Sequence, residues 1–194
     1  MINPNSDKDF RELIIKAKDG DPRAFSAIYE ECFTPIFRYI YLRVKNRTEA
    51  EDLTQTVFLK AFQSLPGFRE HGRPFLAYLF TIARNAVIDF WRVSKKTAVD
   101  DPDEALLVVA DPKGDPVSRI DERHAAETVK QTIKNLTPDQ QEVLSLKFMG
   151  ELSYAEISKI IGKSEEAVRQ LQCRGLKALR KYLRSADQRG LDAD

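Results

Sequence analysis

The chain has 194 residues, 42% of them hydrophobic and 31% charged, with a formal net charge of +1. That length fits one ordinary domain or two small ones, and the composition excludes a disordered, collagen-like or membrane-embedded chain. Near-neutral total charge singles out no partner, but it hides an uneven distribution. Residues 100–127 hold nine acidic residues against three basic, whereas 163–184 hold seven basic residues against Glu165 and Glu166. The two cysteines, Cys32 and Cys173, form no CxxC, which argues against a zinc site or a disulfide framework. They read as small packing residues in a reducing compartment. No apolar run approaches the roughly 18 residues of a membrane span. The start, MINPNSDKDF, lacks the basic-then-apolar order of a signal peptide, so a cytoplasmic protein with no membrane partner is expected.

Asp21-Pro22 marks a helix start, a capping carboxylate followed by proline at the first helical position. Phe25, Ile28, Tyr29, Cys32, Ile36, Tyr39 and Ile40 follow at helical spacing, with Pro35 expected to kink or split the helix. Thr48-Glu49-Ala50-Glu51 reads as a capping box, followed by an apolar stripe of Leu53, Val57, Phe58, Ala61, Phe62 and Leu65 that ends at Pro66-Gly67. Phe68 to Arg73 reads as a loop. From Pro74 another helix is predicted to about Ser94, with Phe75, Leu79, Ile82, Ala83, Ala86 and Phe90 inward.

Periodicity then stops in a segment rich in Asp, Pro and Lys, which reads as a linker. Asp115-Pro116 restarts helix. Thr137 to Gln140 and Ser153 to Glu156 are two further capping boxes, Gly162 suits a helix C-cap and Ser164 an N-cap. No strand is predicted. The expected fold is all-α: two helical domains, about 8–94 and 118–185, joined by an acidic linker over 95–117.

The tail carries the clearest functional signal. A short capped helix, a glycine turn and a second helix form a helix-turn-helix. Ala155, Ile157, Ile160, Ile161, Val168 and Leu171 supply its inward faces. Arg169, Gln170, Arg174 and Lys177 share the outward face of the second helix. Arg and Gln are the side chains that pair in bidentate fashion with guanine and adenine edges in the major groove. Lys163 and the N–H groups after Ser164 lie where a phosphate would bind. Glu165 and Glu166 offset the helix dipole, and a glutamate can also accept from cytosine N4. Taken alone, the same residues also fit a solvated basic surface.

Three blocks, AEDLTQTVFLKAF (50–62), PFLAYLFTIARNAVIDFWR (74–92) and the segment from Leu136 to Leu183, give the chain a resemblance to the sigma factors of the sigma-70 family, in the small extracytoplasmic-function (ECF) group. The resemblance implies an N-terminal domain like sigma region 2, which binds core RNA polymerase and opens the minus-ten element. It implies a C-terminal domain like region 4, which reads the minus-thirty-five element as duplex. The implied partners are core RNA polymerase, through its β′ clamp and β flap, and promoter DNA, both duplex and single-stranded. An anti-sigma factor is a further candidate partner.

Residue by residue, the resemblance assigns Asp52, Gln55 and Phe58 to the polymerase clamp, and Glu51 falls on the same polar side of its helix. On its own evidence Phe58 reads as core. Thr56 stands where the family usually has an acidic residue. Asn85 matches the asparagine that helps hold a flipped base. The segment Phe68 to Arg73, with Arg69 inside it, matches the one that shapes a second base pocket. Arg84, Arg92, Lys95 and Lys96 could track the neighbouring phosphates. Melting requires captured, unstacked bases and a basic path for the backbone. Phe90 and Trp91 fit either stacking or, more simply, closure of the core. In the last block Arg169, Gln170 and Arg174 match the base-reading and phosphate-contacting face. Cys173 departs from the usual pattern, and Gly175 inside a helix costs up to about 1 kcal/mol against alanine with no evident purpose. The acidic linker could mimic nucleic acid in the polymerase channel; neutralising Asp100, Asp101, Asp103 and Glu104 is then expected to alter abortive initiation.

An enzyme is not expected. His71 and His124 are the only histidines, and no catalytic triad, metal cluster or phosphate-binding glycine loop accompanies them. No cofactor is expected either. The rivals are a helix-turn-helix activator, which would need a pre-existing holoenzyme, and a helical scaffold that never touches DNA.

Overall fold

A computed structural model describes residues 4–69, 74–94 and 135–191, with side chains at 10–69, 74–93 and 135–182. The predicted linker, the Asp115-Pro116 helix start, Arg73, both histidines, Lys95 and Lys96 lie outside the described residues. Those residues contain helices and no strand, and they fall into two compact units.

The first unit holds α1 (Pro4–Lys18), α2 (Pro22–Val44), α3 (Arg47–Ser64), a short 3-10 turn (Leu65–Gly67) and α4 (Phe75–Ser94). Helix α2 packs against α1, α3 and α4. Its start is as expected: the Asp21 carboxylate accepts from the Arg23 N–H at 2.9 Å, with Pro22 in the first turn. Pro35 does not split α2, which runs unbroken through it. One missing N–H costs little against the burial of Cys32, Ile36, Phe37, Tyr39 and Ile40 around it.

Helix α3 begins earlier than the Thr48 box. Lys45 takes the left-handed conformation (φ 59°) and ends α2. Asn46 is then extended, and its side chain accepts from the Glu49 N–H at 3.0 Å. A two-residue corner therefore supplies both caps. The core comprises Ile28, Ile36, Tyr39, Ile40, Val57, Leu65, Phe75, Leu79 and Phe80, each essentially excluded from solvent. Each large apolar side chain so buried contributes roughly 1.5–3 kcal/mol. Buried Thr54 is satisfied by donating to the Ala50 carbonyl at 2.6 Å. Helix α1 had no predicted counterpart, although Ile14 and Ala17 are buried at helical spacing.

The second unit holds α5 (Pro138–Phe148), α6 (Tyr154–Ile161) and α7 (Glu165–Leu191), each packed on the other two. Val143, Leu146, Ile157 and Val168 are fully buried between them. At the start of α5 the Thr137 hydroxyl accepts from the Gln140 N–H at 3.4 Å, and the Gln140 side chain accepts from the Thr137 N–H at 3.1 Å. Among the described residues, no helix is long and apolar enough to cross a membrane, and no group of His, Cys, Asp and Glu could hold a metal ion.

Candidate nucleic-acid interface

The helix pair α6 and α7 is fixed by four local devices, one at the start of α6 and three at the corner. Ser153 and Glu156 form a reciprocal capping box at the start of α6. Gly162 ends α6 at φ 70°, a left-handed conformation that glycine adopts without steric cost, and its N–H donates to the Ser158 carbonyl at 2.9 Å. The Ser158 hydroxyl donates to the Lys163 carbonyl at 2.6 Å, so the turn is held from the helix it leaves. The Ser164 hydroxyl then accepts from the Ala167 N–H at 3.2 Å and opens α7. That bond takes one of the N–H groups expected to be available to a phosphate.

Helix α7 buries Val168 and Gly175 and half-buries Leu171 on one side. Its other side exposes Glu165, Arg169, Gln170, Cys173, Arg174 and Lys177. Sequence reasoning therefore placed the polar face on the correct side of the helix. The charges on it are locally engaged. Arg169 pairs with Glu165 at 3.6 Å, and the Gln170 amide donates to Glu166 at 3.2 Å. Lys163, half-buried, pairs with Asp139 at 3.0 Å. Such solvent-accessible contacts are worth about 0–1 kcal/mol each, so they hold these side chains only weakly.

Gly175 now has a purpose. A Cβ at this position would stand 2.9 Å from Leu144 Cδ1 and 3.5 Å from Gln140 Cβ. Any side chain here would force Leu144 to shift, so the glycine eases the close approach of α7 to α5.

In the first unit, α3 exposes Asp52, Gln55 and Thr56 along one side, with Glu51 half-buried and paired to Arg47 at 2.8 Å. The Thr56 hydroxyl donates to the Asp52 carbonyl at 2.9 Å, so it is spent within its own helix. Phe58, one of the residues assigned to the clamp, is only 3% exposed, with its ring 4.6 Å from that of Tyr29. It lies on the inward stripe, as its own periodicity indicates, and holds α3 from within. Phe62, expected inward, is instead 50% exposed with its ring edge-on to Phe25, and Leu59 beside it is 57% exposed. These two apolar side chains extend the exposed side of α3. Their spacing from Gln55, four and seven residues on, was the available signal.

On α4, Asn85, Ile88, Asp89 and Arg92 are exposed at helical spacing, with Arg92 paired to Asp89 at 3.0 Å and Arg84 half-buried. Trp91 does not close the core: it is 42% exposed, with its ring edge-on to half-buried Phe90 at 5.4 Å. Phe68, at the start of the segment matched to a base pocket, is half-buried. Its ring lies 5.1 Å from both Phe75 and Tyr78, and its carbonyl accepts from Lys18 Nζ at 2.8 Å. Arg69 is exposed just beyond it. Phe68 thus anchors the start of the predicted loop.

Comparison with known proteins matches these two units to two family models. Residues 28–97 match Sigma-70 region 2, and residues 132–181 match Sigma-70, region 4. The ECF RNA polymerase sigma factor BldN of Streptomyces coelicolor is 33% identical over 183 residues, 93% of this chain and 69% of that protein. The ECF RNA polymerase sigma factor SigW of Bacillus subtilis is 30% identical over 181 residues, 90% of this chain and 96% of that protein. Among solved structures, the sigma factor RpoE in complex with the anti-sigma factor NepR from Bartonella quintana has a TM-score of 0.65. It covers 82% of this chain and 96% of that one at 22% identity, a likeness of fold. With both regions matched in order and relatives aligned over most of its length, the chain belongs to the sigma-70 family of RNA polymerase sigma factors, in its ECF group, and directs promoter-specific transcription.

Proposed function

We propose that the second unit reads the minus-thirty-five element as intact duplex, while the first unit docks on core RNA polymerase and opens the minus-ten element. The observation that carries this reading is the exposed face of α7. Arg169, Gln170, Arg174 and Lys177 project opposite the packed side of a helix whose start is fixed by the Gly162 turn and the Ser164 cap. Gln170 and Arg169 are suited to base edges, Arg174, Lys177 and Lys163 to phosphates, and Glu165 to a cytosine amine. On α4, Asn85 receives an unstacked base, with Arg84 and Arg92 along the backbone path and Arg69 and Arg73 beyond Phe68. Unstacking costs a few kcal/mol, which the captured bases must return. Helix α3 meets the β′ clamp through Glu51, Asp52 and Gln55, and the second unit meets the β flap.

The chain supplies recognition and the polymerase supplies chemistry. A protein inhibitor is a further partner: the fold neighbour above was solved with an anti-sigma factor, and the same class of partner is proposed here. Run-off transcription from a randomised promoter library, with purified core polymerase and no other protein, tests the reading. A defined two-part promoter consensus is expected. Transcripts only in the presence of another sigma factor would point to an activator instead.

A further inference from the structure

We propose that Tyr154 is a positioning residue for promoter recognition, holding Arg169 in place on the face of α7. The inference rests on the reading of that face as the duplex-binding surface and names a residue outside it. Tyr154 is the first residue of α6, set there by the Ser153–Glu156 capping box. It is half-buried, and it meets α7 at two points. The Arg169 guanidinium stands over its ring, 4.5 Å from the centroid. Its hydroxyl donates to the Gln172 side-chain oxygen at 2.6 Å. Lys147 of α5 also stands over the ring, with its ammonium 5.0 Å from the centroid. One aromatic side chain therefore links all three helices of the unit and places a cation of the proposed reading face.

The physical need is clear. An exposed arginine has many rotamers, and fixing one for a base or phosphate contact costs conformational entropy. A guanidinium already resting on an aromatic ring has lost part of that freedom before DNA arrives, which is preorganisation. The Glu165 carboxylate, 3.6 Å from Arg169, is the competing partner on α7 itself. The tyrosine hydroxyl bond to Gln172 fixes the ring, and the ring then orients Arg169. Gln172 is half-buried, so this bond is better sheltered from water than the Arg169–Glu165 pair.

A double-mutant cycle tests the proposal. Holoenzyme assembled from the full chain and core polymerase is titrated with a labelled duplex carrying the upstream element of a library-selected promoter. The chains are wild type, Tyr154→Leu, Tyr154→Phe, Arg169→Ala and the Tyr154→Leu/Arg169→Ala pair. Removing the ring contact is expected to weaken binding about three- to fivefold in the wild-type background. The same change is expected to have no further effect once Arg169 is gone. Tyr154→Phe, which keeps the ring, should lie between wild type and Tyr154→Leu. If Arg169→Ala weakens binding but Tyr154→Leu does nothing, or costs the same in both backgrounds, Tyr154 is only a packing residue and the inference is overturned while the reading of α7 stands. If Arg169→Ala itself leaves binding unchanged, the role of Arg169 in the reading fails first, and the inference fails with it.

Discussion

Gly175 of α7 lies against Leu144 of α5 so closely that a Cβ on residue 175 would stand 2.9 Å from Leu144 Cδ1. Leu144 is itself buried, so its side chain has little room to retreat. A helix interior ordinarily gains up to about 1 kcal/mol from glycine-to-alanine substitution. Here the gain is offset by crowding. Gly175→Ala is therefore expected to give no net stabilisation, and Gly175→Leu to lose about 1–3 kcal/mol through overpacking. Urea unfolding of the full chain checks both; a clear rise in stability for Gly175→Ala would refute the close-approach account.

The capping box of α6 yields a second expectation. The Ser153 hydroxyl accepts from the Glu156 N–H at 3.3 Å, and the Glu156 carboxylate accepts from the Ser153 N–H at 2.7 Å. Ser153→Ala should cost about 1 kcal/mol of stability. Because Tyr154 follows directly, the same change should also weaken promoter binding more than an alanine at exposed Lys159, which lies in the last turn of α6. Equal binding by the two variants would separate the cap from the reading face.

The two cysteines should behave in opposite ways. Burial pushes the Cys32 thiol up from its ordinary 9.0 to about 12, aided by the charge of neighbouring Glu31. Cys173 is exposed. A thiol reagent at mildly alkaline pH should label Cys173 in the native chain and reach Cys32 only on unfolding. The sign of the linkage follows. A thiol whose folded pKa is raised holds its proton more tightly when folded. Its contribution to stability is intact below about pH 9 and is lost as pH rises towards about 12. Cys32→Ala should flatten that alkaline decline, even though it lowers stability at neutral pH by leaving a cavity. Urea unfolding at a series of pH values measures it.

Two residues on α7 should separate specificity from affinity. Gln170→Ala should relax the preference at one base pair by about 1–3 kcal/mol and leave the others unchanged. Lys177→Ala should weaken binding to all sequences alike and reduce the salt slope by about 1. Titrations of the holoenzyme against single-base variants, at several salt concentrations, distinguish the two. A sequence-specific loss for Lys177→Ala would reassign it to a base.

Much of this architecture was legible in the residues because it rests on local chemistry. Asp21-Pro22, the Thr137 and Ser153 boxes, Gly162 and Ser164 specify helix ends through hydrogen bonds a few residues long, and each forms as its sequence indicates. The polar side of α7 followed from periodicity. What periodicity could not supply was the long-range partner. Helix α3 starts from Asn46 because the left-handed Lys45 corner joins it to α2. Trp91 continues an apolar stripe, yet it stands 42% exposed near the end of α4. Gly175 looked like a defect until Leu144 was placed beside it, and no local pattern brings Tyr154 to Arg169 and Gln172, which it meets only across the helix pair.

The most direct test of the two-module account is a permanganate and nuclease footprint of the holoenzyme on a library-selected promoter. Thymines of the minus-ten element are predicted to become reactive while the minus-thirty-five element stays paired and protected. Asn85→Ala should diminish the reactivity alone, and Gln170→Ala with Arg174→Ala the upstream protection. A reactive downstream element with no upstream footprint, or an upstream footprint untouched by the α7 substitutions, would contradict the account.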